Sequence, residues 1–468
     1  MSDPTSVSAE PAKPDEPATP DDSASALGLT LLDEALLHLQ DARSQWNVQF
    51  ELGTHQHLDE ARLRAAILAC CRRHPLARAR IAPWKKTDTT YCWEVVDELD
   101  LADPFRVADC PDDAALARVR AELYRLPIDL GTAPGLRIVL ARRPGGDLLL
   151  LAVSHIVADG VGALRLMQTI SRAYRDEPDP PDPVPLAQAR DLGAFLAPKT
   201  RSEKWARHLE GLRRVREAFD TPNRIAVVGG SDRDDFGFVF RAFDIGETTT
   251  PRLVARPSGT TVNDVLIAAL HCTVQAWNTE HDVPTDRVGV MMPVNVRPAD
   301  RFWEVVSNLT SMVTVSTTPD DRIDLATATA AVAEQTHQVP RENRAYGLYD
   351  LLEATKKAPL AIKRVAPRLL PHTGDRFVDT AMLSNLGRIP DPPTLDADPE
   401  SAAVELWFSP PCDPTCSVAI GVATCGQRLF LVTRYRYEQF DADAAEQFTD
   451  LLIAHLGDNH GPGSGAGS

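Results

Sequence analysis

Leu148-Leu-Leu-Leu-Ala-Val-Ser-His155-Ile-Val-Ala-Asp159-Gly160-Val-Gly162 is the stretch on which the reading of this chain turns. Its six apolar residues, 148–153, fit a strand buried on both faces. Ser154 and His155 follow, then a glycine-bearing turn, then a helical pattern over 161–174. Upstream, 136–141 is a second extended run, joined by Arg142-Arg-Pro-Gly-Gly146, and the two runs predict a hairpin-like pair. A buried strand tends to present its last side chain to a cleft, where an imidazole with a pKa near 6.5 can take up and return a proton. Asp159 can bond back to the backbone or to a remote cation, and Gly160 and Gly162 allow close backbone approach. A lone histidine in this setting is more often structural, so its surroundings decide.

Working outward, Asp59 is an N-cap candidate for a helix with Leu63, Ile67, Cys70 and Cys71 on one face. That helix is expected to stop at Arg73-His74-Pro75, because proline disfavours helix in the residue before it. Extended runs are expected at 81–84 and 91–96, and a helix at 112–124. After 174, Asp176-Glu-Pro-Asp-Pro-Pro-Asp-Pro-Val-Pro185 reads as a semi-rigid linker. Strands near 236–245, 287–294, 310–315, 380–384, 417–423 and 428–435 mix with helices at 262–277, between 324 and 370, and at 441–456. Without strict βαβ alternation, this order predicts an α+β fold. The expected organisation is an acidic, disordered tail at 1–26, an N-terminal lobe at 27–175, the linker at 176–185, a C-terminal lobe at 186–458 and a flexible Gly/Ser-rich tail at 459–468.

Of the 468 residues, 43% are hydrophobic and 25% charged, an ordinary globular composition. The net charge of −17 argues against bulk binding to nucleic acid. A membrane span needs about 20 apolar residues, and no secretory signal opens the chain. Neither is there a basic amphipathic stretch of the kind that lies on a membrane. Eight scattered cysteines read as reduced thiols in a cytoplasmic protein. Cys412-Asp-Pro-Thr-Cys416 with Cys425 lacks the second half of a zinc site, so core cysteines are expected and no metal.

Taken together, Ser154-His155-Ile-Val-Ala-Asp159-Gly160 resembles the His-His-x-x-x-Asp-Gly signature of the condensation-domain and chloramphenicol-acetyltransferase superfamily of acyltransferases, with Ser154 in place of the first His. Relatives of the polyketide-associated branch tolerate that replacement. Arg73-His74-Pro75 with Leu76 and Arg78 resembles the family's first-helix ending, and Leu126-Pro-Ile-Asp129-Leu130 the segment before the catalytic strand. Thr260-Thr-Val-Asn263-Asp264-Val265 and Pro293-Val-Asn295-Val-Arg297-Pro298 look like segments of the wax ester synthase/diacylglycerol acyltransferase branch. Ser384-Asn385-Leu386-Gly387 resembles the Ser-Asn-x-Gly element of the alcohol-acylating branch.

The resemblance implies two lobes, each a mixed sheet with helices, set in a V around a channel, with one late segment crossing from the second lobe to the first. It implies an acyltransferase of bacterial specialised or lipid metabolism, in which His155 is the general base and an acceptor hydroxyl or amine attacks a thioester directly. Asp159 is expected to pair with Arg297, beside Gly160. Ser384 or Asn385 would donate to the developing oxyanion, against the alternative of turn bonds; Asn295 and Asn263 read as capping or turn residues. No tightly bound cofactor is implied; the phosphopantetheine thioester of coenzyme A or an acyl carrier protein is a co-substrate. Donor docking falls to Lys357, Arg364 and Arg368, spaced for one helical face but interrupted by Pro359 and Pro367. The other basic cluster, Arg201, Lys204, Arg207, Arg213, Arg214 and Arg216, reads as a solvated face or a carrier contact. The competing readings are a free-standing condensation enzyme joining carrier-bound units, with a carrier-tethered acceptor, and a catalytically silent carrier-binding scaffold.

Overall fold

In the computed structural model the described residues are 27–40, 46–102, 104–125, 128–217, 221–233, 235–246, 250–299, 302–341, 346–365, 379–396, 405–412 and 416–457. The tails expected at 1–26 and 459–468, and Arg368, lie outside them.

The 148–153 run sits at the heart of the first sheet. Strands β1 (Leu27–Gly28), β2 (Asn47–Gly53), β3 (Ala79–Ile81), β4 (Cys92–Val95), β5 (Phe105–Asp109), β6 (Leu136–Arg143) and β7 (Gly146–Ser154) belong to the first lobe. All nine residues of β7 are buried, as a strand covered on both faces requires. β6 and β7 form the expected antiparallel hairpin, with Arg143 opposite Gly146. A small side sheet has the order β1-β4-β3.

Helices α1 (Leu31–Leu39), α2 (Glu60–Arg73), α3 (Asp113–Arg125) and α4 (Gly160–Tyr174) pack with this lobe. α2 begins as its sequence dictates. The Asp59 carboxylate accepts from the Arg62 N–H at 2.7 Å, and Leu63, Ala66, Ile67, Cys70 and Cys71 face the core. The helix ends at His74, before Pro75.

The second sheet is built from β8 (Phe236–Asp244), β9 (Val288–Asn295), β10 (Thr310–Thr317), β11 (Ala381–Ile389), β13 (Val418–Cys425) and β14 (Arg428–Arg436), in the order β10-β9-β11-β13-β14-β8. Its β9–β11 and β11–β13 pairs are parallel and the others antiparallel. Helices Val262–Glu280, Leu325–Arg341 and Ala442–Leu456 contribute to its apolar core. Cys412 and Cys416 are buried beside this sheet, and their thiols donate to the Cys416 and Val418 carbonyls.

Two features join the lobes. Strand β12 (Glu405–Ser409), though late in the chain, pairs with β2 and completes a first sheet of order β12-β2-β7-β6-β5. Aromatic rings then carry the contact across: Trp407 of β12 meets Phe240 and Phe430 of the second sheet, and Tyr124 of α3 meets Phe238. The acidic linker is no free spacer. Asp179 is held by Arg165 at 2.6 and 2.8 Å, Asp182 by Arg73 at 2.7 Å, so the segment is strapped back over α2 and α4.

Candidate active site

His155 is placed at the end of β7 by that strand's pairing with β2. Register pairs Ser154 with Asn47, and the His155 N–H then donates to the Trp46 carbonyl at 2.6 Å. The Trp46 ring stands edge-on to the imidazole, with centroids 6.4 Å apart. His155 is 7% exposed. Its Nδ1 is sealed and has no hydrogen-bond partner, which leaves Nε2 as the nitrogen open to the cleft. Burial holds its pKa below the ordinary value of 6.5, against the Asp159 carboxylate and the residue's own carbonyl, which favour the charged form. The imidazole is therefore a neutral acceptor at neutral pH.

Asp159 caps α4, accepting from the Gly162 N–H at 2.9 Å. From the second lobe, Arg297 grips it through Nη1 at 2.6 Å and Nη2 at 2.8 Å, while the Leu309 N–H and Thr310 hydroxyl each donate to it at 2.8 Å. Burial opposes its ionisation, but Arg297 and these donors outweigh burial and hold its carboxyl below the usual range. Arg297 also donates to the Ser307 carbonyl at 2.8 Å. Gly160 marks a close approach: a Cβ there would lie 3.0 Å from Leu386 Cδ2 and 3.2 Å from the Phe408 ring, so those side chains would have to give by a few tenths of an ångström.

Between the lobes runs a narrow cleft with a cavity volume of about 90 Å³. Trp46, Val48, His155 and Gly160 line it from the first lobe, together with Phe408 of β12; Met312, Met382, Ser384 and Asn385 come from the second sheet. Few polar groups interrupt an apolar lining, the usual make-up of an organic ligand site. A larger hollow of about 400 Å³ lies near the far end of β2, around Gly53, Arg143, Glu405 and Trp407. Its one imidazole, His55, is engaged by Asp396 at 3.1 Å, so we place the chemistry in the smaller cleft.

Ser384 and Asn385 thus share the cleft with His155. The Ser-Asn-Leu-Gly element is a bulge: pairing of β11 with β13 shifts register between Asn385 and Arg388, and Gly387 has φ +73. Asn385 Oδ1 accepts from the Gly387 N–H at 2.8 Å, the turn bond that was the alternative reading. Its amide nitrogen is not spent in that bond. Asn295 does both things: Oδ1 accepts from the Arg297 N–H at 2.8 Å, and the residue lines the cleft. Ser154 is fully buried and outside the lining.

Lys357 and Arg364 do not share a helical face. Lys357 is exposed after the helix Gly347–Thr355, whereas Arg364 ends the short helix Leu360–Lys363 and lies over the Trp84 ring at 4.9 Å. Sequence reasoning missed Trp46, Phe302, Met312, Met382 and Phe408 as cleft residues.

The family model described as Condensation domain matches residues 35–361, more than half of the chain. The chain belongs to the condensation-domain family. Proteins of that family transfer acyl or peptidyl groups between carrier-bound units. Two uncharacterized proteins from strains of Mycobacterium tuberculosis are 37% identical over 386 residues, covering 82% of this chain and 88% of theirs. Tyrocidine synthase 3 of Brevibacillus parabrevis is 26% identical over 260 residues, 53% of this chain but 4% of that protein. The first condensation domain of the calcium-dependent antibiotic synthetase, in complex with a substrate analogue, has a TM-score of 0.68 at 15% identity, covering 93% and 96% of the two chains. The starter condensation domain of rhizomide synthetase, a mutant in complex with C8-CoA and Leu-SNAC, gives 0.63 at 13% identity, covering 92% and 94%. At these identities the solved structures establish the fold.

Proposed function

We propose that this condensation-domain protein moves an acyl group from a phosphopantetheine thioester, on coenzyme A or an acyl carrier protein, to a hydroxyl or amine acceptor. The observation that carries the reading is a buried, neutral imidazole whose Nε2 opens on an apolar cleft between the lobes. Nε2 of His155 takes the acceptor proton as the acceptor oxygen or nitrogen attacks the thioester carbon. The tetrahedral oxyanion receives a hydrogen bond from Asn385 or Ser384. Collapse breaks the carbon–sulfur bond, and the thiolate leaves with the proton held on His155. Among the described residues no cysteine lines the cleft, and its one serine, Ser384, is assigned to the oxyanion, so the mechanism uses no acyl-enzyme. Holding both substrates in one cleft supplies much of the acceleration. Asp159 and Arg297 act as positioning residues.

A second reading, condensation of two carrier-bound units, is favoured by the likeness to tyrocidine synthase 3. Thiol release decides between them. Acyl-CoA donors of graded length are mixed with pooled alcohols and amines, with His155→Ala alongside. Acceptor-dependent release lost in the variant supports the first reading. Release only with acyl carrier proteins and a carrier-tethered amine supports the second, and equal rates for wild type and variant refute His155 as the base.

A further inference from the structure

A helix on a protein surface ordinarily turns its apolar stripe inward and its charges outward. Along 201–209, the described side chains of the helix Arg201–Glu217 do the reverse. The one buried among them is Arg207, 4% exposed, whose guanidinium is held by Asp350 of the helix Gly347–Thr355, donates to the Leu196 carbonyl at 2.6 Å, and lies over the Tyr346 ring at 4.9 Å. Trp205 and Leu209, four residues apart and so on one face, are 67% and 60% exposed. Arg201 and Lys204 are exposed beside them, and Leu351, next to the anchoring Asp350, is 67% exposed. The sequence reading took this cluster as a solvated face or a carrier contact. A solvated face has no use for an indole.

We propose that this helix is a docking surface for an anionic lipid bilayer. Trp205 and Leu209 enter the boundary between headgroups and acyl chains, Arg201 and Lys204 meet lipid phosphates, and the Arg207–Asp350 pair fixes the helix to the body. Arg201 and Lys204, flanking Glu203, supply exposed cations in a chain of net charge −17, the charge that complements anionic lipid. A bilayer fits better than a carrier protein. On a protein partner, protruding anchors need a matching pocket. A fluid bilayer accepts protruding indole and leucine side chains without one. No described helix is long and apolar enough to cross a membrane, so the attachment is peripheral. The proposal is independent of the acyl-transfer reading.

The test is sedimentation of the full chain with phosphatidylcholine vesicles, pure or containing about one phosphatidylglycerol in three lipids. The expected result is about tenfold stronger binding to the anionic vesicles, weakened by salt. Trp205→Ser/Leu209→Ser should abolish that gain with an unchanged melting curve, since both side chains are exposed. Equal binding to both vesicles, or a double variant that binds like wild type, overturns the proposal. So does capture of a holo acyl carrier protein by wild type but not by the double variant, without vesicle binding, which gives the surface to a carrier.

Discussion

Asp159 and Arg297 belong to opposite lobes and close on each other through hydrogen bonds of 2.6 and 2.8 Å, with both side chains sealed from solvent. One carboxylate therefore caps α4, fixes the turn that follows His155 and clamps the second lobe. Breaking a buried pair leaves a bare charge, at a cost of about 3–5 kcal/mol. Asp159→Ala and Arg297→Ala should each lower unfolding stability by that amount, measured in urea. Replacing both, as Asp159→Leu/Arg297→Met, should cost less than the sum of the two. An Asp159→Ala protein that melts normally, keeps His155 in place and has lost activity would contradict a positioning role.

His155 gives a prediction about pH. A general base works while neutral, and burial lowers its pKa from 6.5. Acyl-transfer kcat/KM should be flat around neutrality and fall only on the acid side of 6.5, as the imidazole takes up its proton. His155→Gln should cost about 10²- to 10⁴-fold in kcat/KM with little change in melting. A limb centred above 6.5 would mean that another group is titrating.

Asn385 can be tested by separating its two ends. Oδ1 accepts from Gly387, and Nδ2 is the donor assigned to the oxyanion. Asn385→Asp keeps the acceptor for the turn and removes the donor. If Asn385 supplies the oxyanion bond, kcat/KM should fall by about 10²- to 10³-fold at unchanged stability. Retained activity would reduce Asn385 to a turn residue and shift the oxyanion role to Ser384.

How much of this was legible in the sequence follows from where each signal resides. α2 carries its own cap, apolar period and terminating proline within seventeen residues, and β7 is one apolar run; both are local. Trp46 reaches His155 only because β2 pairs with β7 in the register that sets Asn47 against Ser154, and a local pattern does not name its pairing partner. Phe408 enters the cleft on β12, a strand that leaves its own lobe to join the other sheet. The linker's prolines carry a local signal for stiffness, but the arginines that strap it down lie on two helices. The Asp159–Arg297 pair, 138 residues apart, was reached through the family resemblance, not through spacing.

Buried histidines should make the fold acid-sensitive. His74 and His271 are sealed in the two lobes, with Nε2 of His74 at 2.9 Å from the Thr169 hydroxyl and Nδ1 of His271 at 3.1 Å from that of Thr317. Burial, reinforced by Arg165 and Arg73 for His74 and by Arg322 for His271, pulls each pKa down to about 3. The unfolded chain, with histidines near 6.5, binds protons that the folded chain refuses. Stability is therefore complete above 6.5 and declines as pH falls from there toward 3, by about 1.4 kcal/mol per pH unit per histidine. At about pH 5 each histidine should have removed about 2 kcal/mol. Urea midpoints of wild type, His74→Gln and His271→Gln at about pH 7.5 and 5 check this. Each variant should be weaker at the higher pH yet lose about 2 kcal/mol less between the two. A variant whose loss matches wild type would show that its histidine is not the group taking up the proton.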